Sequence, residues 1–155
     1  MTADASRLLR ITRRFEASPE RVFDAWLDPA MARQWLFTSP ETDIAARRVD
    51  IDARVGGKWL MTNACEGVEL EGIGEYLEID RPRRLVFTFA IPQFGPDFDR
   101  IVVEIAAEGA GCILTLTHEL LPPEHHEATE SGWGKMFVRL DEALGCQALL
   151  GSVRP

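Results

Sequence analysis

The stretch LEGIGEYLEIDRPRRLVFTFAI, residues 70–91, decides the fold. In its second half Leu85, Phe87, Phe89 and Ile91 fall on one side of an extended chain, the mark of a strand with one buried face. The first half, residues 70–79, carries Gly72 and Gly74, which weaken a flat strand and suit a bulge or bend. Arg81-Pro82-Arg83 between the halves reads as a turn. Strands joined by so short a connection pair antiparallel, so residues 70–91 predict a bent hairpin inside a larger sheet.

Working outward, the pattern repeats. Residues 92–97 form a Pro/Gly loop, and residues 100–107 and 112–120 are strands joined by the hairpin turn Glu108-Gly109-Ala110-Gly111. Upstream, Gly56-Gly57 opens a strand over 58–63 with Trp59 and Met61 on one face, and residues 44–51 supply another. Residues 8–17 place Leu9, Ile11 and Phe15 on alternate positions. Ser18-Pro19 then starts a helix, Ser18 as cap and Pro19 where a missing N–H costs nothing. Val22, Phe23, Trp26 and Leu27 form its apolar stripe, and Asp28-Pro29 repeats the start signal for a second short helix with Met31 and Trp35.

From about Glu124 the period changes. Trp133, Met136, Phe137, Leu140 and Leu144 recur every three or four residues, one stripe of a long helix. Glu124, Glu127 and Glu130 sit toward its start, where the helix dipole favours acids, and Gly145 is a candidate stop. Strand, two short helices, a run of strands and a long helix make an α+β domain over 1–155. In it a curved antiparallel sheet closes over the C-terminal helix. That helix is the only large amphipathic cover in sight, and a curved sheet against a straight helix leaves room for a cavity.

Bulk properties narrow the function. The 155 residues carry a net charge of −8 at a pI near 4.9. A nucleic-acid binder needs a basic surface to displace counterions, and anionic membranes attract the same surface. The basic runs here, such as Arg13-Arg14 and Arg47-Arg48, sit beside acids, so neither partner is expected. Cys65, Cys112 and Cys146 are odd in number and lack metal-type or redox spacing, which points to a reducing, cytoplasmic setting. No apolar run has the length of a signal peptide or a membrane span.

The segments ITRRFEASPERVFDAWLDPAMARQWL (11–36), RVGGKWLM (54–61), GIGEYLEIDRPRRLVFTF (72–89), ILTLTHE (113–119) and SGWGKMFVRLDEAL (131–144) carry a family resemblance. In order and spacing they resemble bacterial proteins similar to the C-terminal domain of the activator of the heat-shock-protein-90 ATPase. Those proteins belong to the START-like, or SRPBCC, superfamily. The resemblance implies a helix-grip fold with a deep, mostly apolar pocket. It implies little chemistry, because the superfamily holds binders, carriers and some enzymes, and fold alone does not fix function. The co-chaperone activity goes with a two-domain protein, and a single domain of this size leaves no room for the second.

Several residues are candidates for the pocket. Trp35, Phe37, Trp59, Met61, Phe87 and Phe89 supply bulky apolar walls from the first half of the chain. Leu116, Trp133, Met136 and Phe137 supply them from the second, and Phe94 and Phe98 belong to the same aromatic set. His118 ends the alternation Cys112, Leu114, Leu116, so it should lie on the apolar face as a polar handle, or simply be bonded to its neighbours. Tyr76 shares parity with Gly72 and Gly74 and could point its hydroxyl inward. His125 and His126 are adjacent on a helix start and face apart, so no metal site is expected, and no cofactor motif is present. The expected function is to hold a small hydrophobic molecule between sheet and helix. The alternatives are a cyclase- or hydratase-type enzyme using His118 and Tyr76, and an interaction domain that docks on a chaperone or forms a homodimer. No catalytic residue is assigned.

Overall fold

The structure, a computed structural model, describes residues 7–65 and 67–153, with side chains described up to 145 and not at 65. Seven strands form one antiparallel sheet in the order β1-β7-β6-β5-β4-β3-β2. They are β1 (Leu9–Phe15), β2 (Val49–Ile51), β3 (Lys58–Cys65), β4 (Val68–Asp80), β5 (Arg84–Phe89), β6 (Asp99–Glu108) and β7 (Gly111–Glu119). Two short helices, α1 (Pro19–Leu27) and α2 (Pro29–Trp35), follow β1, and the long α3 (His126–Val153) ends the chain. This is the α+β helix-grip arrangement the sequence predicts.

Local chemistry sets the helix starts. The Ser18 side chain accepts from the Arg21 N–H, and Asp28 accepts from the Ala30 N–H while also ending α1. Both helices carry proline in their first turn. The bend of the sheet lies in β4. Its register against β5 shifts by one residue between Tyr76 and Glu78. Beyond that point the ladder loosens: the Glu75 N–H donates to the Thr88 hydroxyl, and the Trp59 indole N–H donates to the Thr88 carbonyl at 3.2 Å. A side chain on Gly74 would collide with both the Thr88 carbonyl and that indole. The glycine is what allows β3, β4 and β5 to approach there.

Three expectations need correction. The strand read over residues 44–51 shrinks to Val49–Ile51, since the preceding residues form turns that tuck Arg47 inward. The helix does not stop at Gly145 but runs on to Val153, because no proline or paired cap interrupts it. The third concerns the cover of the sheet. α3 does not act alone: Trp26 of α1 and Trp35 of α2 are among the most deeply buried side chains. Phe137 of α3 packs on both, at centroid distances of 6.4 and 6.1 Å, and on Phe15 of β1 at 5.9 Å. These two indoles take the volume that a lone helix would have left open.

Candidate functional site

The space between sheet and helices holds a void of about 10 Å³, lined by Trp26, Leu36, Trp59, Met61, Tyr76, Leu85 and Phe87. That is about the smallest volume that admits one water. Its lining follows from the strand period: Trp59 and Met61, Tyr76, and Leu85 and Phe87 are the inward positions of β3, β4 and β5. Trp26 and Leu36 close it from α1 and the end of α2.

Of the candidate residues, Trp59, Met61, Tyr76 and Phe87 meet at this void. Trp35, Phe37, Phe89, Leu116, His118, Trp133, Met136 and Phe137 lie inside the fold but pack on one another. Trp133 and Phe137 stack at 5.8 Å, and Phe37 meets Phe89 edge-on at 5.6 Å. Trp26, Leu36 and Leu85 were not among the sequence candidates. Trp26 had the signal of a core stripe on α1, but nothing in one dimension says which neighbour that stripe faces. Phe94 is 74% and Phe98 46% exposed, so neither belongs to the core. Phe94 ends the Pro92–Phe94 3-10 turn and Phe98 lies just before β6, both outside any strand. Cys146 lies outside the residues whose side chains are described.

His118 is tied at both ring nitrogens. Trp133 donates its indole N–H to Nδ1 at 3.2 Å, and Nε2 lies 2.7 Å from the Asp99 carboxylate. An indole nitrogen only donates, so Nδ1 accepts and the proton sits on Nε2, facing Asp99. The ring therefore links β7, β6 and α3, and no nitrogen is left for a ligand. Tyr76 is buried, and burial together with the Asp52 charge holds its hydroxyl well above the usual tyrosine pKa, so it stays protonated. Cys112 is buried, and desolvation raises its thiol pKa, the opposite of an activated nucleophile.

Three features set the inner face apart. First, Gly72 leaves a gap in the β4 wall, and the Phe37 ring occupies it, 3.2–3.3 Å from where a side-chain carbon would stand. Phe37 belongs to the connection after α2 and has a left-handed backbone, φ 54°. Second, Arg47 anchors that connection. Its guanidinium is buried and donates to the carbonyls of Arg33, Phe37 and Thr62 at 2.8–3.2 Å. Desolvation, with the charges of Arg33 and Arg139 next, lowers its pKa to about 10, so it remains charged at neutral pH. Third, the Trp26 Nε1–H is buried with no hydrogen-bond partner among the described residues. Leaving such a donor unsatisfied costs about 1–3 kcal/mol.

A second, larger hollow lies on the opposite face of the same strands. It measures about 610 Å³, is open to solvent, and is lined by outward residues including Lys58, Leu60, Ile73, Glu75, Leu77 and Phe98. Trp59 borders both hollows. Among the described residues no cluster of three or more His, Cys, Asp or Glu could hold a metal, and no helix is long and apolar enough to cross a membrane.

Residues 16–145 match the family described as "Activator of Hsp90 ATPase homolog 1-like protein". No curated protein matches the chain. Among solved structures, a Nitrosomonas europaea protein is 22% identical at a TM-score of 0.76, covering 94% of this chain and 99% of its own. A Chromobacterium violaceum protein is 28% identical at a TM-score of 0.74, with 88% and 95% covered. A putative protein in the dynemicin biosynthetic locus superposes at a TM-score of 0.72 with 17% identity, over 90% of this chain and 47% of the other.

Proposed function

This chain belongs to the activator of Hsp90 ATPase homolog 1-like protein family, and on that premise we propose that it binds a small hydrophobic molecule between its sheet and its helices. The observation that carries the reading is the way the inner trough is filled. Strand β4 presents glycine at 72 on its inward face, and a loop ring, Phe37, fills the space in place of a strand side chain. Withdrawing a loop ring breaks no strand ladder. The trough is then closed by a plug that a ligand can displace, and the surrounding walls are aromatic and aliphatic. Burying about 200 Å² of ligand surface there contributes on the order of 5 kcal/mol before association costs.

His118, with both nitrogens engaged, is not part of this site, and Tyr76 lines the void without it. The reading is therefore binding rather than paired acid–base catalysis. Naphthalene titrated into the protein and followed by tryptophan fluorescence tests it. Wild type should bind measurably, and Phe37→Ala about tenfold more tightly, since displacing the ring would no longer draw about 1.4 kcal/mol from the binding free energy. Absence of binding in both proteins would remove the proposal.

A further inference from the structure

The four tryptophans share the interior, and three have their indole N–H engaged. Trp35 donates to the Ala25 carbonyl at 3.0 Å, Trp59 to the Thr88 carbonyl at 3.2 Å, and Trp133 to His118 Nδ1 at 3.2 Å. Trp26 is 1% exposed, borders the inner void, and has no partner for its N–H among the described residues. Core packing alone does not call for indole there, because phenylalanine would supply a ring without an orphaned donor.

We propose that Trp26 Nε1–H sets the class of ligand: the inner site takes a flat, apolar molecule that carries a carbonyl or similar acceptor oxygen, and the indole N–H donates to it. This inference rests on the binding reading above and adds the ligand's chemistry to it. The remaining walls support it. Leu36, Met61, Leu85 and Phe87 offer no polar atom beyond a thioether, and the Trp59 N–H is already engaged, so the ligand is otherwise hydrocarbon. Tyr76 carries the one hydroxyl among the lining residues. Kept protonated by its burial, it is a second donor on the same void and excludes no acceptor-bearing ligand by charge. A site built of donors and apolar surface discriminates strongly, because a ligand without the acceptor leaves the donor unpaired in a dry pocket.

The main competing explanation is also visible. The Trp35 ring stands at 90° to Trp26 with centroids 4.6 Å apart, so its π face is within reach as a weak acceptor. Two probes of the same shape separate the possibilities: acetonaphthone, an aryl ketone, and isopropenylnaphthalene, in which a methylene replaces the carbonyl oxygen. Affinities are measured for wild type and for Trp26→Phe, which keeps an aromatic ring. The indole N–H resonances are followed by ¹⁵N-edited NMR on the unaltered chain. The ketone should bind wild type about tenfold more tightly than the hydrocarbon, as expected for one hydrogen bond to a buried donor. That preference should vanish in Trp26→Phe, and the Trp26 proton alone should move downfield with the ketone.

Equal affinity of both probes for wild type would overturn the donor role while leaving the binding proposal standing; the N–H would then be satisfied by the Trp35 ring or a trapped water. A shift at another indole would also overturn it, and this readout holds even if Trp26→Phe does not fold. Failure of both probes to bind would remove the binding reading and this inference together.

Discussion

Strands β3 and β4 carry a hollow on each face, and the two differ in opposite senses. On the inner face Trp59 and Met61 stand against Gly72, Gly74 and Tyr76, and the space left is about 10 Å³. On the outer face Lys58 and Leu60 stand against Ile73, Glu75 and Leu77, and the space is about 610 Å³. The larger hollow is the weaker candidate for tight binding of a small molecule. It is open, so an occupant stays wet on one side, and its rim carries Asp50, Lys58 and Glu75. The smaller one is lined almost wholly by apolar side chains, so each polar atom in it counts, and on the same face of β4 the Phe37 ring stands where Gly72 leaves out a side chain. Enclosure and replaceable contents identify a site of this kind better than present volume does.

The largest way to break the contrast is to remove the wall both hollows share. Trp59→Ala deletes a buried indole, its bond to the Thr88 carbonyl, and the filler above Gly74. Truncation of a buried aromatic costs about 3–5 kcal/mol, which urea unfolding would measure. The inner void should then open to the outer face, and an environment-sensitive dye should fluoresce with the folded variant but not with wild type. Dye binding at wild-type level would mean that another side chain, and not Trp59, separates the two spaces.

The sequence made much of this legible, for a physical reason: strand alternation and helix periodicity are local. Leu85 and Phe87, Trp59 and Met61, and the stripe through Trp133 and Phe137 all face inward as their spacing predicts. The Ser18-Pro19 and Asp28-Pro29 starts hold because a cap needs only its own neighbours. What was not legible is non-local. Trp26 was visible as core, but its unpartnered N–H depends on where the end of α2 and strands β3, β4 and β5 bring their walls. Arg47 looked like part of a surface basic pair. Its burial follows from three carbonyls, those of Arg33, Phe37 and Thr62, that only the folded chain brings together. Phe94 and Phe98 misled because an aromatic in a proline-rich loop is scored as hydrophobic wherever the loop points.

A smaller perturbation sharpens the contrast by acting on the inner face alone. Arg47 pins the connection bearing Phe37 by bonding the Phe37 carbonyl itself. Arg47→Met keeps a long apolar stem, removes three charge-assisted bonds, and relieves a desolvated charge that stands close to the charges of Arg33 and Arg139. The two effects oppose, so the net loss should be about 1–3 kcal/mol. The more telling readout is kinetic. Naphthalene should associate faster with the variant, because the plug is freed, and slow hydrogen exchange at the Thr62 and Phe37 amides should accelerate. Unchanged association would place the barrier to entry elsewhere than at Phe37.

The smallest expected effect lies on the outer face. Leu77 and Phe98 are 43% and 46% exposed, so Leu77→Lys or Phe98→Lys should change stability by no more than about 0.5 kcal/mol. Neither side chain borders the inner void, and of the residues around them only Trp59 lines both hollows. Ligand affinity measured by fluorescence should therefore stay within about twofold of wild type, below the 1.4 kcal/mol of a tenfold change. A lysine at 77 lies one residue beyond Tyr76 on a strand whose neighbours alternate faces. If that substitution weakened naphthalene binding tenfold while Phe37→Ala left it unchanged, the occupied hollow would be the open one, and the roles assigned to the two faces would have to be exchanged.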